Sequence, residues 1–365
     1  MKKYSVKIPS LILCLFLIST YFIPAYAVSD GTNDTLDQYI DYANSILPDL
    51  SRLPDTNFSM DNLYISQPIE LLNDNDDTNY VFFLFDGSTC IGELVVSRID
   101  GTFSASFLPG EMPLVSAAYA DAAPICLVSA ERALLLCTES TADVIAGDLT
   151  VASTSYSSSK QTETIISQAP KSTLNLAPVN FVSEVSGTPG GVPSTSKTLP
   201  VNFVANKKIN GSWTCWAASS AAIINYLKNQ NTLTAESIYK SVAENTPAPA
   251  GNLSNVAYAF TCYGINHYRS GVYNFSFDAV VRHINKGYPI CALLESPQEN
   301  HYVAICGYEA TSDYNYYLQF MDSNVKTKVW VSVTNEHFDI NLVYPAANGI
   351  TYTGWIASVY STLAA

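Results

Sequence analysis

Among the side chains of this chain that could do covalent chemistry, Cys215 stands in the most telling surroundings, Gly211-Ser212-Trp213-Thr214-Cys215-Trp216-Ala217-Ala218-Ser219-Ser220. A thiol becomes a nucleophile when it ionises, and the unpaired N–H groups of a helix's first turn favour the thiolate. Ala217, Ala218, Ala222, Ile223, Ile224, Tyr226 and Leu227 follow with no breaker before Asn229, which predicts a helix buried on most sides and opening at the cysteine. Trp216 is expected to pack beneath the thiol and shield it. The competing reading of any free cysteine is a buried, inert packing residue.

A thiol nucleophile needs a base that takes its proton and returns it to the leaving group. The chain has four histidines: His267, His283, His301 and His337. His283 falls on a helix pattern running from Phe277 to Asn285 and closed by Gly287, on its partly exposed face. His267 and His337 fall in turn-like stretches and read as solvated surface residues. His301 follows the polar turn Gln298-Glu299-Asn300 and opens the strand Tyr302 to Cys306, with another apolar strand, Pro289 to Leu294, before it. A base at the mouth of a strand pair is held rigidly while its ring reaches a cleft. Tyr316 to Met321 reads as the next strand, and Asp322 at its end is placed to accept from the second ring nitrogen and fix the tautomer. Asn324 is the alternative third member, and an ordinary turn is the plain reading of Asp322-Ser323-Asn324.

Taken together, four short pieces resemble the papain-like cysteine peptidases in order and separation: Cys215-Trp216-Ala217, Ile284 to Ile290, His301 to Tyr308, and Met321-Asp322-Ser323. The layout is most similar to the secreted bacterial branch of staphopain, streptopain and peptidase-39-like enzymes, over about residues 199–365. The resemblance implies an α+β fold in which a helical part carrying the cysteine faces an antiparallel sheet carrying the histidine. It also implies that Cys215 attacks the scissile carbonyl, that His301 acts as base and then acid, and that Asp322 orients it. Such enzymes place a glutamine six residues before the cysteine to help hold the oxyanion; here that residue is Ile209, which has no donor, and Asn210 is the substitute. No metal or organic cofactor is implied, and no Cys-x-x-Cys or His-x-x-x-His spacing suggests zinc.

Lys2, Lys3 and Lys7 precede an apolar run from Ile8 to Ile23, and Ala25-Tyr26-Ala27 forms a small-x-small cleavage site. Residues 1–27 are therefore expected to be a secretory signal peptide, with the mature protein extracellular and not stably inserted in a membrane. Loss of Cys14 with this segment leaves seven of eight cysteines, an odd number compatible with a free thiol. Residues 28–198 carry six basic and 22 acidic side chains, whereas residues 199–365 carry nine and ten. An acidic balance disfavours nucleic acid and anionic membranes as partners, and the resemblance implies protein or peptide substrates.

Residues 28–148 read as a small acidic α+β domain. It opens with a helix (Leu36 to Leu47) and continues with strands at Tyr80–Phe85, Ile91–Val96, Phe103–Phe107 and Ala133–Cys137, separated by turns at Asp86-Gly87 and Asp100-Gly101. Asp74-Asn75-Asp76-Asp77 lacks the glycine and distal glutamate of a calcium loop and reads as a solvated turn. Residues 149–198, rich in Ser, Thr, Pro and Gly, read as a linker with a processing site, ahead of the catalytic domain at 199–365. Pro178-Val179-Asn180-Phe181-Val182 recurs as Pro200-Val201-Asn202-Phe203-Val204, whose second copy is expected to form the first catalytic strand. The resemblance implies that the N-terminal domain is an inhibitory propeptide, so the expected product is a latent secreted endopeptidase; an adhesion or regulatory domain that stays attached is the alternative. Rival functions for the same constellation are a cell-wall amidase or an acyltransferase using peptide amines, and an inactive papain-like binding module.

Overall fold

A computed structural model describes residues 36–54, 56, 58, 62–72, 78–99, 102–130, 133–138, 142–147, 171–178, 195–246, 249–271, 276–311, 315–325, 327–336, 339–346 and 349–362. Within them lie six helices and a large, mostly antiparallel sheet, an α+β architecture. The acidic half opens with α1 (Leu36–Leu50), followed by β1 (Leu63–Ser66), β2 (Ile69–Leu72), β3 (Asn79–Asp86), β4 (Thr89–Ile99), β5 (Thr102–Pro109), α2 (Pro113–Ala120), β6 (Pro124–Ala130), β7 (Ala133–Cys137) and β8 (Ala142–Gly147). Short strands β9 (Ser172–Thr173) and β10 (Leu176–Pro178) complete it, pairing with β6 and β1. Gly87 takes φ +60° in the turn joining β3 to β4, as Asp86-Gly87 anticipates. Asp100-Gly101 and the acidic run at 74–77 lie outside the described residues.

The C-terminal half contains β11 (Thr195–Thr198), β12 (Lys208–Ile209), β13 (Ser212–Trp213), α3 (Cys215–Leu227), α4 (Ala235–Ala243), α5 (Leu253–Cys262), β14 (Asn266–Gly271), α6 (Phe277–Asn285), β15 (Ile290–Glu295), β16 (Asn300–Ala310), β17 (Tyr316–Met321), β18 (Lys328–Glu336), β19 (Asp339–Leu342), β20 (Tyr344–Pro345), β21 (Thr351–Tyr352) and β22 (Gly354–Thr362). Its sheet runs β14-β22-β15-β16-β17-β18, every pair antiparallel. Helix α3 has small or apolar side chains almost all round, so every residue from Cys215 to Asn225 is buried, as befits a helix at the centre of a core. Thr234 and Asn252 start α4 and α5 with reciprocal capping boxes, and Ser276 caps α6. Gly287 closes α6 with φ +83°, the conformation a helix-ending glycine supplies.

The two halves are not separate bodies joined by a tether. Strand β5 pairs with the outer edge of β18, Phe107 opposite Trp330 and Ser106 opposite Val331, so one sheet continues from β18 through β5, β4, β3 and β1. Helix α1 covers one face of this junction, where Ala43, Ile46, Leu47 and Leu50 share a core with Phe82, Phe107, Tyr317 and Trp330. Part of the segment expected as a linker is ordered structure: residues 172–178 pair within the acidic half, and Thr195–Thr198 pair with Gly307–Ala310 of β16. The first strand of the C-terminal half, expected at residues 200–204, therefore precedes them; they are irregular, with Val201 buried. Most of the first copy of that repeat lies outside the described residues. His267, expected in a turn, lies in β14, and His337 lies outside the described residues.

Candidate active site

The cysteine stands where the chain turns from hairpin to helix. Strands β12 and β13 pair with Ile209 opposite Ser212, and the two-residue turn between them is Asn210 (φ +51°) and Gly211 (φ +83°). Asn-Gly suits such a turn because both positions need positive φ. Thr214 ends the hairpin with its N–H on Asn206 Oδ1 (3.0 Å) and its hydroxyl on the Lys207 carbonyl (2.7 Å), so it does not cap α3 with its side chain. Its carbonyl accepts from Ala217 and Ala218, which fixes Cys215 as the first helical residue. Cys215 is buried, and Trp216 is packed against Gly251 and Tyr239. A β-carbon at Gly251, whose φ is +72°, would lie 2.5 Å from the Trp216 ring, so that position is held open for the indole.

His301 is the second residue of β16, opposite Leu294 of β15, and has no exposed surface. Its Nε2 lies 2.8 Å from Asp322 Oδ1, just past the end of β17, where antiparallel pairing of β16 and β17 brings the two together. Nδ1 meets no oxygen or nitrogen among the described residues, and the Cys215 sulfur lies near enough to the ring to favour its protonated form. Asp322 is itself fixed at both oxygens: the Asn324 N–H donates to Oδ1 and the Tyr344 hydroxyl to Oδ2, each at 2.8 Å. The Asn324 amide nitrogen stands 3.5 Å from His301 Nε2, more distant than the carboxylate. Tyr352 stacks on the imidazole with ring centres 5.4 Å apart, and its hydroxyl donates to Glu299.

The electrostatics follow from this packing. Burial alone would drive the imidazolium toward neutrality, but the Asp322 carboxylate and the Cys215 sulfur outweigh it and push the His301 pKa up to about 10. Asp322 shows the converse: burial opposes its charge, yet His301, the Asn324 N–H and the Tyr344 hydroxyl hold its pKa below the usual carboxylate value. The ring is thus held in one orientation, with Nε2 on a carboxylate, a face on Tyr352 and the Cys215 sulfur nearby. Cys291, beside Cys215, is kept a neutral thiol by its burial.

Three residues that sequence reasoning singled out, Cys215, His301 and Asp322, meet here. Asn210 does not join them: it is exposed on the hairpin turn, and its amide lies 3.4 Å from the Tyr239 hydroxyl. Ile209 supplies only strand backbone and side-chain packing. Residues not anticipated complete the site. Buried Asn206 ties its two halves together, accepting from the Lys207 and Thr214 N–H groups and donating from Nδ2 to Asn324 Oδ1 at 3.1 Å. Its N–H donates to the Ser323 carbonyl. Asn206 ends an apolar run, which gave no local sign of a bridging role, and Tyr344 and Tyr352 read as strand aromatics.

A cleft of about 700 Å³ opens over the thiol, lined by Trp213, Trp216, Gly251, Leu293, Asn300 and Tyr302 together with Cys215. All its described lining comes from residues 213–302; none comes from the acidic half. Among the described residues no three His, Cys, Asp or Glu side chains converge as metal ligands, and no helix is long and apolar enough to cross a membrane. No curated protein matches the chain. A family model described as the Peptidase_C39-like family matches residues 198–351, a span that contains Cys215, His301 and Asp322, and this similarity points to a cysteine-peptidase-like domain of the hydrolase class.

Proposed function

We propose that this protein is a secreted cysteine endopeptidase that cleaves protein or peptide substrates through Cys215, His301 and Asp322. The observation that carries the reading is the buried His301–Asp322 pair with the Cys215 thiol on the ring's free side, at the floor of a cleft. The Cys215 thiol passes its proton to His301 Nδ1, and the thiolate sulfur attacks the substrate carbonyl carbon as the carbonyl π-electrons move to oxygen. The tetrahedral intermediate collapses, the C–N bond breaks, and the departing amine takes the proton held at His301 Nδ1. Water then adds to the thioester, giving one proton to the imidazole and its hydroxyl to the acyl carbon, and sulfur departs.

The N–H of Cys215, a first-turn group with no intrahelical carbonyl to serve, is the first oxyanion donor. Asn210 is proposed as the second, and it must leave Tyr239 to act. That requirement is the observation that favours an inactive binding module as the second reading. Export rests on residues 1–27, and synthesis as a precursor rests on the composition of residues 149–198.

Expression of residues 28–365 as wild type and as Cys215→Ala tests the proposal. Wild type should digest casein under reducing conditions and lose that activity to iodoacetamide in step with alkylation of Cys215, while Cys215→Ala should do neither. A wild type that alkylates at Cys215 yet cleaves no peptide, before and after its linker is cut by an added protease, would sink the endopeptidase reading.

A further inference from the structure

We propose that the N-terminal acidic domain is a working part of the active enzyme: it seats the chain segment 343–352 that orients Asp322 and His301, so catalysis needs this domain bound rather than removed. The inference rests on the peptidase reading and adds to it a role for the other half of the molecule.

Two aromatic residues of that segment touch the site. The Tyr344 hydroxyl donates to Asp322 Oδ2, and the Tyr352 ring stacks on His301. Tyr344-Pro345 and Thr351-Tyr352 pair with each other over two residues, and the C-terminal half ties the segment at Tyr344 to Asp322, at Tyr352 to Glu299 and through the Thr353 N–H to the Glu295 carbonyl. The acidic half adds its own anchors, from the face of the β3–β4–β5 sheet opposite α1. Ser104 and Ser106 donate their hydroxyls to the Val343 and Pro345 carbonyls, on either side of Tyr344. Asn79 on β3 reaches Thr351, next to Tyr352, with its amide 3.2 Å from the hydroxyl. Val95, Phe83 and Leu108 of the same sheet share a core with Tyr344, Ala346 and Tyr352.

The docking is also too extensive and too apolar for a domain built to leave. Asp49 of α1 accepts from Asn315 (2.7 Å) and Tyr317 (3.2 Å), and Thr327 donates to the Pro109 carbonyl. Departure would bare Trp330 and Tyr317, each now about 2% exposed or less, and leave the Trp330–Val331 stretch of the β18 edge without its partner. A hydrophobic patch beside an open strand edge is an aggregation hazard. An inhibitor that blocks by occupancy would line the cleft instead, and no described residue of the acidic half does so.

The test uses the full chain. Ser104→Ala/Ser106→Ala should lower kcat about tenfold or more with KM little changed, since a small misplacement of a catalytic group is costly while the cleft is untouched. Val128→Ala, in a small cluster of the same domain that contains no residue of the C-terminal half, controls for stability: it should lower the melting temperature and leave kcat alone. In a second arm, a specific protease site is placed within residues 183–185 and cut. The two fragments should co-elute with activity retained; stripping the N-terminal fragment in mild denaturant should abolish activity and the fast alkylation of Cys215, and adding it back should restore both. The proposal is overturned if kcat of the serine double variant matches wild type, or if cutting and stripping raise activity and add-back lowers it. If neither the uncut nor the cut protein hydrolyses casein, the peptidase reading fails instead, and co-elution and Cys215 alkylation still decide whether the domain holds the site.

Discussion

Glu93 gives the sharpest quantitative test of how the two halves are joined. It lies on β4, on the sheet face that receives the 343–352 segment, with no exposed surface and no partner for either carboxyl oxygen among the described residues. Phe83 and Leu108 flank it across the sheet, and its charge acts on Cys90 and Tyr344. Burial pushes its pKa up from 4.5 to about 8, so the folded protein holds a proton there that the unfolded chain has released at neutral pH. Stability therefore falls as pH rises between these two values and levels off above the upper one. Each pH unit in that window costs about 1.4 kcal/mol for one proton, so the stability difference between Glu93→Gln and wild type should grow by roughly 3 kcal/mol from pH 5 to pH 7. Cys90, pushed up to about 12, and Tyr344, raised well above its ordinary 10, do not titrate there, and the remaining groups are common to both proteins. Urea melts of the full chain at half-unit pH steps measure it. Parallel profiles for the two proteins would refute the reasoning, because they would mean that Glu93 is already ionised in the fold and has a compensating partner.

The other predictions concern the cleft and its proton carrier. Asp322→Asn removes the carboxylate that most raises the His301 pKa, so the alkaline limb of kcat/KM should move down by about one unit or more, and kcat should fall. The wild-type His301 also contributes stability that is complete below 6.5 and is lost as pH rises through about 10, and this variant should lose that dependence in alkaline melts. Gly251→Ala places a β-carbon against the Trp216 ring at a positive φ; it should cost about 1–3 kcal/mol in stability and reduce iodoacetamide reactivity at Cys215, seen by denaturation and alkylation kinetics. Tyr302→Phe deletes a buried hydroxyl that has no partner among the described residues, so it should raise stability by about 1 kcal/mol; a fall would show that the hydroxyl is hydrogen-bonded in solution.

What could be read from the chain alone was what short-range pattern determines. The uninterrupted small and apolar run after Thr214 specifies α3 and puts Cys215 at its start, and alternating turns and apolar runs specify β15, β16 and β17 with His301 and Asp322 at their ends. Residues whose roles depend on distant pairing were not legible. Tyr344 matters because the polypeptide returns past β18 to Asp322, and Ser104 matters because β5 pairs more than two hundred residues ahead, with Phe107 opposite Trp330. Asn206 has the same character: an amide at the end of an apolar run becomes a bridge only once the loop after β17 lies beside it. The repeated Pro-Val-Asn-Phe-Val motif misled in the other direction, since its second copy is irregular and the strand forms at Thr195–Thr198 just before it.

A catalytic carboxylate in a fully buried site must have each oxygen held, because an unpaired lone pair there would weaken the charge that keeps His301 protonated. For Asp322 one oxygen is held locally, by His301 and the backbone of Asn324. The other is held by Tyr344, whose neighbours on either side are bonded to serines of the acidic half. Loss of those serine bonds therefore leaves the His301–Asp322 contact formed but the carboxylate free to rotate about its remaining tie. Such a site still binds substrate and still alkylates, only more slowly, and its defect appears in kcat and in the alkaline limb rather than in KM. An inhibitory domain makes the opposite set of changes, raising KM while bound and restoring it on release, so the split between the two constants separates a supporting domain from a blocking one.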